Sequence, residues 1–156
     1  MRVALAAVAD DGNGLAIEEA VRLCRAGLAD AIVTAPVSKE AMHLAGYKVP
    51  GQTEMLLELS GGKRVAMILA ADGFRVGLVT VHHPLRDVAA RVTKERILEK
   101  LSILREALRV DFAIRSPRIA VLGLNPHAGE NGILGTEEGS VIRPALRTAR
   151  ARSWRV

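Results

Sequence analysis

Apolar positions along the chain fall into two rhythms. Continuous runs at residues 3–8 (VALAAV), 31–35 (AIVTA), 64–70 (RVAMILA), 74–81 (FRVGLVTV) and 118–123 (RIAVLG) predict short buried strands. Between them, Ile17, Val21, Cys24 and Leu28 recur at helical spacing. Ile97, Leu101, Leu104 and Leu108 make one apolar stripe of a later helix, with Thr93 placed to cap it. Thr136 is placed to cap a further helix over EEGSVIRPALRTARA, with Glu137 and Glu138 at its positive end and Pro144 inside, where the ring kinks or ends it. Strands alternating with helices predict an α/β fold built on a layered sheet. The short turn between 64–70 and 74–81 requires part of that sheet to be antiparallel, so the sheet is mixed. Lys48–Thr53 (KVPGQT), a Pro-Gly turn between two helical patterns, is the expected domain boundary.

Composition narrows the function classes. Half of the 156 residues are hydrophobic and 3% aromatic, so the core is aliphatic. No apolar run approaches the ~20 residues a bilayer span needs. The opening MRVALAAVADDG has too brief an apolar stretch, with acidic flanks, for a secretory signal. The single cysteine, Cys24, cannot form an internal disulfide, which fits a reduced, cytoplasmic setting. The net charge of +5 is local: five arginines (143, 147, 150, 152 and 155) follow the last acidic residue, Glu138, and without them the balance is zero. A nucleic-acid binder needs a distributed basic surface with stacking aromatics, and neither is visible. A solvated helix end and a loose tail, with Trp154 incidental, is the expectation there.

Polar residues gather after the predicted strands, where open α/β sheets carry their sites. TAPVSKE brings Thr34 and Lys39; PGQTE brings Gln52 and Thr53 to a helix start, a natural anion position. TVHHPL places His82 and His83 at one strand end, and LNPHAGE places Asn125, His127 and Glu130 after another. A loop histidine is more often a surface residue than a ligand, and His43 reads as a helix-face residue. Two histidines at equivalent strand ends raise the case for a zinc-like ion. Successive side chains alternate in extended backbone, so only one of His82 and His83 should face a site. Two ligands fall short of the three that a catalytic metal normally takes from protein.

The motifs AIVTAPVSKEA, PGQTE, VTVHHPLRDV, the TKERI helix start and GLNPHAGENGILGTEE occur in this order. Together they resemble the 4-hydroxythreonine-4-phosphate dehydrogenase family of vitamin B6 biosynthesis. The resemblance runs from about Gly27 to Leu146. It implies a homodimeric oxidoreductase with the layered fold of the isocitrate and isopropylmalate dehydrogenases, with its site at the dimer interface. It further implies a divalent metal, zinc foremost with magnesium or cobalt as alternatives, and NAD or NADP as hydride acceptor. The matching metal ligands are His82 and His127; His83 falls on a variable position. The family's substrate-binding pair falls on Gln52 and Thr53. Gln52 departs from the family's usual histidine: a neutral amide still hydrogen-bonds substrate but cannot take up a proton near neutral pH. Asn125 and Glu130 are candidates to orient the ligands, and Lys39 to meet phosphate or carboxylate.

Against that family the chain is expected to be an incomplete version of the fold, short at both ends. Residues 1–50 would be a remnant of a first α/β domain, 51–146 a central α/β domain with the metal histidines, and 147–156 a basic tail matching nothing in the family. The third metal histidine, in the family's Tyr-His-Asp-Gln-Gly run, has no counterpart in this sequence. The expectation is therefore little dehydrogenase activity and marginal stability for this chain alone. Two alternatives stay open: a paralogue acting on a threonate or erythronate phosphate or a dihydrodiol carboxylate, and a non-catalytic dimerising remnant. Small-molecule substrate, homodimer, no nucleic acid and no membrane complete the expected partners.

Overall fold

The computed structural model describes residues 3–6, 13–49 and 51–156. The chain divides into two compact units, Met1–Val65 and Ala66–Val156. The division falls later than the Pro-Gly turn at 48–53, whose Pro50 lies outside the described residues. The reason is packing. The helix that follows this turn buries Met55 in the first unit's core, together with Ile17, Ala20 and Val21.

In the first unit, β1 (Val3–Ala6) and β2 (Ala31–Thr34) pair in parallel, joined through α1 (Asn13–Arg25). Residues 7–8 of the first predicted strand lie outside the described residues. Ile17 and Val21 are buried and Cys24 packs against them, as the helical spacing requires. Leu28 breaks the pattern: it lies in the turn beyond α1 and is 57% exposed. The short helix α2 (Lys39–Leu44) is capped by the Ser38 hydroxyl, and α3 (Gln52–Ser60) packs on α1.

The second unit opens with an antiparallel hairpin, β3 (Ile68–Ala71) and β4 (Phe74–Gly77). The antiparallel pairing expected from the short turn is present, but among the described residues it forms a two-stranded sheet of its own rather than part of one mixed sheet. β4 ends at Gly77, so His82 does not stand at a strand end. Next come α4 (Leu85–Arg91) and α5 (Lys94–Val110). Thr93 caps α5, its hydroxyl accepting from the Arg96 N–H, and Ile97, Leu101, Leu104 and Leu108 are all buried. Residues 118–123, expected as a strand, form none and make a single parallel bridge, Arg118 to Arg155. An apolar run signals burial rather than a ladder partner. Here Ile119 and Val121, half-buried, pack against the cluster formed by Ile97, Leu101, Ala145 and Ala149 instead.

The C-terminal stretch corrects the sequence reading most. Residues 138–142 form a wide π-turn, in which the Arg143 N–H donates to the Glu138 carbonyl. Then α6 (Arg143–Ala151) begins, with Pro144 in its first turn, where a missing N–H costs nothing. Pro144 thus starts a helix rather than breaking one. The Thr136 hydroxyl is not a cap; its carbonyl accepts from the Ser140 N–H and hydroxyl. Residues 147–156 are no loose tail. Ala145 and Ala149 are 0% exposed, and their small side chains let α6 lie close on α5. Trp154 packs against the same core, with the guanidinium groups of Arg105 and Arg152 each over its ring. The Ile119 N–H donates to the Arg155 carbonyl at 2.9 Å, tying the chain's last residues to the 118–123 segment.

Candidate functional site

The loop carrying His127 is built on an unusual backbone. After Pro126, five consecutive residues have positive φ: His127 (51°), Ala128 (52°), Gly129 (80°), Glu130 (42°) and Asn131 (56°). This is a turn of left-handed helix, which costs L-residues about 1–2 kcal/mol each. Only Gly129 adopts it freely. A turn this strained persists where its surroundings over-determine it.

Glu138, 5% exposed at the mouth of the π-turn, supplies much of that constraint. Its Oε1 accepts the backbone N–H groups of Leu124 at 2.8 Å and Asn125 at 2.7 Å. Its Oε2 accepts from Asn125 Nδ2 at 3.0 Å, and the same amide donates to Glu137 Oε2 at 2.7 Å. Glycines make the close approach possible. A Cβ on Gly129 would stand 2.6 Å from the Gly135 carbonyl oxygen and 2.8 Å from Glu138 Oε2. One on Gly135 would collide with the Asn125 carboxamide, and one on Gly123 would lie 3.3 Å from Glu138 Oε1. The spacing of glycines through GLNPHAGENGILGTEE thus follows from folding a loop around one carboxylate.

The hydrogen bond from the Asn125 side chain, helped by the Asn125 and Leu124 N–H groups, holds the Glu138 carboxyl down to about 2. Asn125 likewise lowers Glu137. A depressed folded value means that the clamp's stabilisation is fully present above the ordinary 4.5 and is lost as pH falls through about 2. Protection of the Leu124 and Asn125 amides against hydrogen exchange, corrected for intrinsic rate, should therefore stay flat from neutral pH to 4.5 and decline only below it. Loss of protection already between pH 7 and 5 would contradict this assignment.

His82 shares the backbone signature of His127. It is exposed, at φ 54°, in the stretch between β4 and α4. His83 beside it is half-buried. A positive φ on a histidine is uncommon, and such outliers collect at functional sites. Both candidate ligands lie in the second unit. Among the described residues, no group of three or more His, Cys, Asp or Glu side chains is arranged to hold a metal. Glu130 is exposed on the turn itself, whereas Asn125 is held by the two glutamates. His43 is exposed in the last turn of α2, and Lys39 opens that helix.

In the first unit, Gln52 and Thr53 form the first turn of α3, after an extended Gly51 that offers no side-chain cap. Gln52 reaches back to the end of β2. Its Nε2 donates to the Ala35 carbonyl at 3.1 Å, and its Oε1 accepts from Thr34 Oγ1 at 3.3 Å. One N–H and one lone pair remain for a ligand. The sequence placed Thr34 at a strand end but gave no sign that it orients Gln52. Nor did it mark Glu138 as more than a helix-dipole partner.

The family model for the pyridoxal phosphate biosynthetic protein PdxA matches residues 6–156, nearly the whole chain. The chain belongs to this family. The PdxA match includes the last ten residues, in which no family motif is legible. A 4-hydroxythreonine-4-phosphate dehydrogenase of Geobacter metallireducens is 54% identical over 135 residues, covering 86% of this chain and 40% of that protein. The crystal structure of the 4-hydroxythreonine-4-phosphate dehydrogenase from Klebsiella pneumoniae superposes with a TM-score of 0.86 at 39% identity, over 92% of this chain and 43% of that one. A terephthalate 1,2-cis-dihydrodiol dehydrogenase from Burkholderia xenovorans LB400 is more distant, at TM-score 0.69 and 26% identity, over 96% of this chain and 50% of that one. The α/β fold is therefore that of PdxA relatives. The chain spans about two fifths of the length of the curated relatives it matches. No helix among the described residues is long and apolar enough to cross a membrane.

Proposed function

We propose that this chain carries part of the site for metal-dependent, NAD- or NADP-linked oxidation, with decarboxylation, of 4-phosphohydroxy-L-threonine in vitamin B6 biosynthesis. The observation that carries the reading is the backbone of His82 and His127. Both histidines of the family-matching motifs are held at positive φ, in exposed loops of one unit. Imidazole nitrogen suits zinc or cobalt, whereas magnesium prefers oxygen donors. The two histidines fit in kind, and substrate, water or a second chain would supply the remaining ligands. When bound, the ion would acidify the substrate alcohol and stabilise the oxyanion that forms as hydride leaves for nicotinamide. The residues of the chain do the positioning. His82 and His127 hold the ion, while Gln52 and Thr53 at the start of α3 bind an anionic end of the substrate. Assembly as a homodimer in the cytoplasm, in an isocitrate dehydrogenase-like layering, belongs to the same proposal.

Gln52 also carries a second reading, a paralogue acting on another hydroxy acid; the dihydrodiol dehydrogenase likeness favours it. The higher identities to 4-hydroxythreonine-4-phosphate dehydrogenases favour the first. With one lone pair and one N–H already committed to Thr34 and Ala35, Gln52 keeps one lone pair and one N–H, either of which can make a hydrogen bond to the substrate. Such a bond contributes about 1 kcal/mol, so Gln52→Ala should weaken substrate binding roughly three- to tenfold in calorimetry. Gln52→His should make that binding pH-dependent near neutrality. Affinities for 4-phosphohydroxy-L-threonine and the competing hydroxy acids that stay as in the wild type in both variants would remove Gln52 from recognition.

A further inference from the structure

We infer that Glu138 is a positioning residue for His127, its carboxylate being the strut on which the left-handed turn is built. The inference rests on the proposed ligand role of His127 only for its functional consequence. The geometry stands by itself. One buried carboxylate takes two backbone N–H groups at the entrance of the turn, through Oε1, and the Asn125 amide through Oε2. Asn125 is two residues ahead of His127, and the Ala128 N–H returns to the Asn125 carbonyl at 3.1 Å. The middle of the turn packs on the same group, because the vacant Cβ position of Gly129 lies 2.8 Å from Glu138 Oε2. The Leu134 N–H, donating to the Gly129 carbonyl at 3.1 Å, seals the exit. The entrance and the middle of the five-residue turn that presents His127 thus converge on Glu138.

A helix-dipole role alone would need no such convergence. It would be served equally by Glu137, which is half-buried and takes the same Asn125 amide but neither the Leu124 nor the Asn125 N–H. An isosteric amide at 138 presents an N–H2 where Asn125 Nδ2 already donates. Two donors then face each other, and Asn125 must turn over and release Glu137 or leave the site. The turn relaxes toward ordinary backbone and the His127 imidazole loses its fixed direction, with the fold otherwise intact.

The test uses the chain itself, with isotope-labelled histidine followed by NMR and cobalt(II) as the probe ion. Glu138→Gln should shift or split the His127 imidazole signals in the metal-free protein, leave those of His82 in place, and weaken cobalt binding tenfold or more. A structural role elsewhere would not single out one of two imidazoles. Unchanged His127 signals in Glu138→Gln overturn the inference. If the wild-type chain binds no cobalt while Glu138→Gln still moves only His127, the positioning role stands and the metal reading falls. Should Glu138→Gln fail to fold, Asn125→Ala removes the Oε2 arm and leaves both backbone bonds. It should move the same signals in the same direction, and their constancy would equally overturn the inference.

Discussion

Gly129→Ala is expected to cost far more than the same change at Gly132 in the same loop. The residue sits at φ 80°, where an alanine is strained, and the new methyl would stand 2.6 Å from the Gly135 carbonyl oxygen and 2.8 Å from Glu138 Oε2. Neither neighbour can yield cheaply. One is backbone, and the other is a carboxylate held by three hydrogen bonds. Strain of this kind costs about 1–3 kcal/mol. For a unit of this size that lowers Tm by about 4–8 °C per kcal/mol. Gly132→Ala is the matched control: its φ is also positive, at 100°, but the nearest atom to its Cβ position is Thr136 Cγ2 at 3.9 Å. Thermal unfolding of the pair should show the Gly129 variant clearly lower. Equal losses would mean that the close approach to Glu138 does not constrain the loop.

The second large effect concerns the ion. If His82 and His127 share one cation, removing either takes a third or more of its protein ligands. His82→Ala and His127→Ala should then each weaken cobalt(II) binding by about a hundredfold or more, the loss of roughly 3 kcal/mol in binding free energy. The double variant should be little worse than either single one, because the two act as a unit. Losses that add independently, or singles that bind like the wild type, would place the two imidazoles in separate environments.

How far the sequence could lead depends on which signal each feature leaves. Helical periodicity marked α1 and α5 well, since Ile17, Val21, Ile97, Leu101, Leu104 and Leu108 bury at the expected spacing and Thr93 caps as its position suggests. The short turn between β3 and β4 announced their antiparallel pairing. Residues 118–123 misled because apolar content reports burial, and only a partner makes a strand. The C-terminal stretch misled through charge. Arginines on the exposed side of α6 drew notice away from Ala145 and Ala149, whose small side chains bury completely. At the candidate site, the histidines and Gln52 were legible through motif resemblance. Their supports were not. Thr34, which orients Gln52, and Glu138, which gathers the loop around itself, act through contacts across 18 and 14 residues that no local spacing encodes.

The central claim is that His82 and His127 grip the same cation. Crystals of the chain grown with zinc, measured on either side of the zinc absorption edge, test it most directly. The account predicts one anomalous peak lying about 2.0–2.1 Å from an imidazole nitrogen of both residues, the usual zinc–histidine distance. Two separate peaks, or a peak on one histidine with the other turned away, would contradict it.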